Sequence, residues 1–150
     1  MIRISKLTDY SIVLLSHLAS KPDVLHSTRD LAEESRLPLP TVEKLLKKLT
    51  ASDLLVSERG ARGGYRLARD AGSISVADVI AALEGPIGLT QCTSHGDGRG
   101  EVCELQRFCP TKTPWMKIND VVLRALKDLS LAEMVATRGP ARASTVRIAR

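Results

Sequence analysis

Between Pro40 and Ala51 the apolar residues Val42, Leu45, Leu46 and Leu49 fall at i, i+3, i+4 and i+7. Lys44, Lys47 and Lys48 fall on the opposite side. A helix of this kind has one stripe to bury and one basic face to leave in water. It follows two shorter helical segments. In the first, over residues 5–20, Leu7, Tyr10, Leu14 and Leu18 recur at helical spacing, with Val13 and Leu15 widening the stripe and Pro22 ending it. The second opens on Ser27-Thr28-Arg29-Asp30, a capping-box pattern, and runs to Glu34. Leu37-Pro38-Leu39-Pro40 reads as a turn, and proline is tolerated in the first turn of the helix that follows. Two helices, a tight turn and a helix with a basic outer face form a helix-turn-helix candidate.

Leu54–Arg59 then reads as a strand, Gly60–Gly64 as a turn and Tyr65–Ala68 as a returning strand. A hairpin directly after a helix-turn-helix is a wing. Ser75-Val76-Ala77-Asp78 is a second capping box and opens a helix over about 76–84, ended by Gly85-Pro86. Pro114-Trp115 opens a long helix to about Leu129. The fold class expected is mainly α with a small β-hairpin: a winged helix-turn-helix plus a long dimerisation helix. Residues 1–85 form the DNA-binding domain, 86–113 a cysteine loop, 114–135 the dimerisation helix and 136–150 a disordered basic tail. With only four aromatic residues in 150, the core must be aliphatic, which suits helices.

Net charge is +5, and its distribution is uneven. Residues 36–69 carry eight Lys/Arg against three acids, on segments expected to be ordered. That is either a phosphate-binding face or a solvated surface. A recognition helix meets base edges with its first exposed side chains, here Thr41, Glu43 and Lys44. Glu43 can accept from a cytosine amino group but is repelled by phosphates, which makes it a specificity device. Lys47 and Lys48 are expected on the DNA backbone. Glu43 and Lys47 also have the spacing of a simple i,i+4 pair. In the wing, Arg59, Arg62 and Arg66 are placed to reach phosphates or a minor groove.

All three cysteines, Cys92, Cys103 and Cys109, lie within eighteen residues, in a glycine-rich stretch. An odd number excludes a fully paired disulfide framework within one chain. The spacing C-x10-C-x5-C fits neither a zinc ribbon nor a bacterial ferredoxin run. Three thiolates can hold an iron–sulfur cluster if a fourth group completes it, and the loop offers His95, Asp97, Glu101 and Glu104. In the long helix, Trp115, Ile118, Val122, Ala125, Leu126 and Leu129 form an apolar stripe. A twofold dimer would cover it and set two recognition helices about one DNA turn apart.

Met1–Lys6 lacks a signal-peptide core, and Ile12–Leu15 is too short to span a bilayer, so no membrane partner and a cytoplasmic location are expected. No phosphate-binding glycine motif before a helix, no nucleophile elbow and no acid/base pair stands out, so an enzyme is not expected. His17 and His26 read as surface or packing residues.

Arg3–Tyr10 resembles the opening of the Rrf-type winged-helix regulators, the family of IscR, NsrR and RirA. Leu39–Leu46 resembles their recognition helix. Arg59-Gly60-Ala61-Arg62-Gly63-Gly64-Tyr65-Arg66-Leu67 resembles their wing, and its R-G-x-x-G-G-Y run is quite specific. Ile74–Ile80 and Ala82–Gly85 also match, over about residues 2–135 in all. Ala82–Ile87 running into Leu89–Cys92 is most similar to the regulator of the SUF iron–sulfur assembly system. The resemblance implies a homodimeric transcription factor on double-stranded DNA, expected to be a repressor. It also implies one iron–sulfur cluster per subunit on Cys92, Cys103 and Cys109, with Glu43 tuning discrimination and Arg59 near DNA.

One position departs. IscR-like members carry a histidine three residues after the last cysteine, where this chain has Lys112, and a protonated amine has no lone pair to donate. NsrR-like members use an aspartate on the first helix, reaching across the dimer. Asp9 stands at that place and ranks first as fourth ligand, with His95 second. Whether the cluster is 2Fe–2S or 4Fe–4S is open from spacing. A second reading is a zinc-stabilised winged-helix module without sensing; a third is an electron carrier, which would have no use for a wing.

Overall fold

Ser5 begins the first helix: its hydroxyl accepts from the Thr8 amide at 3.2 Å, satisfying a donor the helix itself cannot. The computed structural model describes residues 3–60, 62–93, 103–105 and 108–136. They form α1 (Lys6–Ser20), α2 (Thr28–Ser35), α3 (Leu39–Ala51), β1 (Leu55–Glu58) and β2 (Gly64–Leu67). A single 3-10 turn (Ala71–Ser73) leads to α4 (Val76–Glu84), α5 (Lys112–Asp128) and α6 (Leu131–Ala136). The architecture is mainly helical with one two-stranded antiparallel hairpin, a winged helix-turn-helix followed by a long helix.

Both capping boxes form. Ser27 and Asp30 cap α2 reciprocally, as Ser75 and Asp78 cap α4. The turn into α3 is shorter than the proline pattern implies. Arg36 closes α2 in the left-handed region at φ 57°, and Pro38 already serves as the N-cap of α3, with Pro40 in its first turn. The apolar stripe Val42, Leu45, Leu46 and Leu49 is fully buried. It packs with Leu14, Leu15 and Leu18 of α1, Leu31 of α2 and Val79 of α4 into one aliphatic core.

The hairpin register pairs Leu55 with Leu67 and Glu58 with Gly64. A further pairing adds a third edge to it. The His26 amide donates to the Tyr65 carbonyl at 3.0 Å, and the Tyr65 amide donates back at 2.9 Å. His26 is buried, a packing residue at the root of the wing.

The long helix ends at Asp128, and the chain does not continue it to residue 135. Ser130 and Glu133 make another reciprocal cap: the Glu133 carboxylate accepts from the Ser130 amide (2.8 Å) and hydroxyl (2.7 Å). This starts α6, which turns back onto α1 and the 3-10 turn. There Leu131 is buried and its amide donates to the Ile74 carbonyl at 2.8 Å, while the Val76 amide donates to the Leu129 carbonyl at 2.9 Å. Among the described residues no helix is long and apolar enough to cross a membrane.

Along α5 only Asn119 is buried. Its Oδ1 accepts from the Leu89 amide at 3.1 Å, pinning the segment that leads to Cys92 against α5. Asn119→Leu removes that acceptor and should cost about 1–2 kcal/mol, the penalty for stranding a part-buried donor. Thermal denaturation checks this: the midpoint should fall by several degrees, and Asn119→Asp should fall less.

Candidate nucleic-acid interface and cysteine loop

Helix α3 presents the face that the sequence assigns to DNA. Glu43, Lys44 and Lys47 are exposed, Thr41 is half-buried near the start of the helix, and no ion pair among the described residues engages Glu43, Lys44 or Lys47. The i,i+4 pairing of Glu43 with Lys47 is therefore not what holds this face. Lys48 behaves differently. Its ammonium donates to the Leu83 carbonyl at 3.2 Å, at the C-terminal end of α4, where backbone carbonyls lack helical partners.

In the wing, Arg59 and Arg62 are exposed, whereas Arg66 donates from Nε to the Glu58 carboxylate at 3.2 Å across the hairpin. The turn is held by the Gly63 amide on the Gly60 carbonyl at 3.0 Å, with Gly60 at φ +121°, a conformation that favours glycine. Gly63 and Gly64 are required for another reason. A Cβ on Gly64 would meet the His26 carbonyl oxygen at 2.6 Å, and one on Gly63 would strike the Glu58 carbonyl oxygen. An open cleft of about 350 Å³ lies between the wing (Arg59, Gly64) and the start of α2 (Ser27, Thr28). Ser57 and Glu58 also line it.

The start of α1 is tied to the end of α4. The Glu84 carboxylate accepts from the Ser5 amide at 3.0 Å and from the Thr8 hydroxyl. The Thr8 hydroxyl, and next the Ser5 amide, hold Glu84 below the ordinary glutamate value of 4.5. A depressed carboxylate contributes stability that is present above its ordinary pKa and lost as pH falls through the folded value. The thermal midpoints of wild type and Glu84→Ala, separated at pH 7, should therefore converge as the pH is lowered below 4.5. Asp9, in the first turn of α1, is exposed.

All three cysteines are free and partly buried. The Cys92 thiol lies 3.1 Å from the Thr90 hydroxyl, and the Cys109 thiol 3.2 Å from that of Thr111. The Thr111 hydroxyl, then its amide, lowers the Cys109 pKa, which favours the thiolate that a metal would take. Among the described residues, no group of three Cys, His, Asp or Glu side chains is gathered closely enough to hold a metal ion. His95, Asp97 and Glu101 lie outside the described residues, as do residues 137–150 of the expected tail. The donor chemistry fits an iron–sulfur group, since three unpaired thiols are soft ligands for iron.

Helix α5 leaves its apolar side uncovered. Trp115, Ile118 and Leu129 are 40%, 46% and 40% exposed, and Val122 and Leu126 are half-buried. The stripe is wider than the sequence reading made it, because Met116 and Val121 are exposed beside it.

Residues 4–137 match the family model described as Rrf2, iron-dependent transcriptional regulator. The chain belongs to the Rrf2 family. The HTH-type transcriptional regulator IscR of Vibrio vulnificus (strain YJ016) is 34% identical over 107 residues, 71% of this chain and 61% of the relative. The chain thus spans about three-fifths of the length of the curated relatives it matches. Among solved structures, CymR (YrzC), the global cysteine regulator of B. subtilis, superposes with a TM-score of 0.73 at 29% identity, covering 93% of this chain and all of that one. The IscR of T. potens superposes with a TM-score of 0.68 at 28% identity, covering 92% and 89%. The hairpin, α3 and the capped helices α2 and α4 all fall inside the span that matches the family model.

Proposed function

We propose that this chain is a homodimeric DNA-binding regulator whose hold on its operator depends on an iron–sulfur cluster carried by Cys92, Cys103 and Cys109. The observation that carries the reading is the join between its two halves. A helix α3 whose Glu43/Lys44/Lys47 face makes no ion pair among the described residues is followed, after the hairpin and α4, by a segment carrying three free thiols. Dimerisation through the uncovered face of α5 would bury Trp115, Ile118, Val122, Leu126 and Leu129, and would bring a second α1 near the loop. Asp9 of the second copy is then the first candidate for the missing ligand and His95 the second. When bound, the cluster would supply a dissociable link among these donors. Thr41, Glu43 and Lys44 read base edges, while Lys47, Arg59 and Arg62 bind phosphates. Lys48, already engaged by the Leu83 carbonyl, serves to place α3. The resemblance to the SUF-system regulator points to the SUF assembly genes as the target, with repression as the proposed effect.

The test is oxygen-free purification followed by iron, sulfide and visible-absorption measurement, then titration of cluster-bearing and cluster-free protein against a suf-type promoter fragment at fixed salt. Brown protein with different affinities in the two forms is the expected result. Colourless zinc-containing protein would favour the staple reading, and equal affinities would remove sensing. On the same fragment, Glu43→Ala should relax discrimination at one base pair by about 1–3 kcal/mol. Lys47→Ala should weaken all sequences alike and reduce the log–log salt slope by about 1. Competition titrations against single-base variants separate the two.

A further inference from the structure

The turn into α3 ends in three consecutive exposed apolar residues, Pro38, Leu39 and Pro40. Leu37, just before them, packs against the aliphatic core, whereas Leu39 is 37% exposed and is the one large apolar side chain left open on α3. A single exposed leucine is ordinary on a protein surface, but a run of three apolar residues in water is a cost that calls for a use. The place of this run is specific. The N-terminal end of a recognition helix is the part that meets base edges in the major groove. A helix start can instead bind phosphate through free amides, and this one is poorly equipped for that. Pro40 has no N–H, and the Thr41 and Val42 amides both donate to the Pro38 carbonyl, at 2.9 and 3.1 Å. Four residues on from Leu39, and so on the same side of the helix, stands the exposed Glu43. Lys44 and Lys47 add positive charge beside it.

We infer that Leu39 is a specificity-determining residue: at the tip of α3 its side chain meets the 5-methyl group of a thymine in the major groove. Thymine is the base whose major-groove edge carries an apolar group, and apolar side chains recognise it by contact. Burying the leucine against that methyl takes both out of water, a gain that a phosphate could not match. The helix also fixes where the thymine lies. Side chains four residues apart have Cβ atoms about 5–6 Å apart, and successive bases are about 3.4 Å apart along the duplex. The thymine should therefore lie within about two base pairs of the pair that Glu43 discriminates. The inference rests on the DNA-reading part of the function proposed above and is independent of the cluster.

The probe is a duplex enriched by the full wild-type chain from a random-sequence pool, with selection run on both cluster-bearing and cluster-free protein. Each thymine of that duplex is replaced in turn by deoxyuridine, which deletes only the methyl group. Wild type, Leu39→Ala and Leu39→Met are then titrated at fixed salt. For wild type, one thymine position in each half-site should respond, with affinity falling about fourfold per methyl removed. Leu39→Ala should bind the parent duplex about tenfold more weakly and lose no more than about a further twofold on deoxyuridine at that position. Leu39→Met, which keeps an apolar side chain of similar volume, should retain the methyl response. The thermal midpoint of Leu39→Ala should stay within about 2 °C of wild type, because the side chain lies outside the core. Wild-type affinity indifferent to every deoxyuridine overturns the inference, as does a full methyl response retained in Leu39→Ala. In either case the DNA-reading function stands and only the Leu39 contact falls. Failure of both forms to enrich any sequence removes sequence reading itself, and the contact with it.

Discussion

Replacing Gly64 with alanine should destabilise the protein by about 2–4 kcal/mol and lower operator affinity at least tenfold. The added methyl would sit 2.6 Å from the His26 carbonyl oxygen and 2.8 Å from its carbonyl carbon, backbone atoms that cannot swing aside like a side-chain tip. Relief requires β2 to part from His26, which breaks the two hydrogen bonds between His26 and Tyr65, at 3.0 and 2.9 Å. Each contributes about 1 kcal/mol net, and stranding the buried partners adds a comparable penalty. Once the strand has shifted, Arg59 and Arg62 no longer sit where the wing carries them. Gly60→Ala is the informative control. It has open space around the new Cβ but a φ of +121°, so it should cost only backbone strain, about 1–2 kcal/mol. Chemical denaturation gives the stabilities and a fluorescence titration with promoter DNA the affinities. Equal losses in the two variants would mean that the close approach to His26 does not govern the wing.

Cys103→Ser should abolish the iron and sulfide binding proposed above and leave the protein colourless, while the folded winged helix survives. The hydroxyl that replaces the thiol stays protonated at neutral pH and is a poor ligand for iron, and the loop has only two other cysteines. None of the three thiols belongs to the aliphatic core, so thermal stability of the metal-free protein should change by less than about 0.5 kcal/mol, as for surface substitutions generally. Iron and sulfide analysis beside a melting curve checks both halves. Retention of iron by Cys103→Ser would exclude this thiol as a ligand. Collapse of the fold in metal-free Cys103→Ser would instead favour a structural staple.

Much of the fold was legible before any coordinates. Ser27/Asp30 and Ser75/Asp78 announce their helices because a capping box is a short-range device, complete within four residues. The core stripe of α3 is legible for the same reason: a period of 3.6 is local. Ser130/Glu133 is the same kind of device, yet the sequence reading places no cap there and carries the dimerisation segment on to residue 135. The third edge of the wing was out of reach, since one residue, His26, makes it and one residue has no period.

The site divides along the same line. The thiols, the basic face of α3 and the wing arginines were read from residue type and spacing. Apart from Arg66 with Glu58 across the hairpin, the parts that were missed are long-range pairings. Asn119 with Leu89 spans 30 positions, Lys48 with Leu83 spans 35, and Glu84 with Thr8 spans 76. Lys48 shows the consequence, because a lysine on the basic side of a recognition helix has the same sequence signature whether it faces a phosphate or a helix end. By itself the sequence determined the helices before the cysteine loop, which faces are apolar or basic, and which atoms are soft enough to take iron, because these follow from side-chain chemistry and nearest-neighbour geometry. Only the tertiary structure decided that the end of α4 bonds to both the start of α1 and Lys48 of α3, because hydrogen bonds between distant segments exist only after the aliphatic core has brought them into reach.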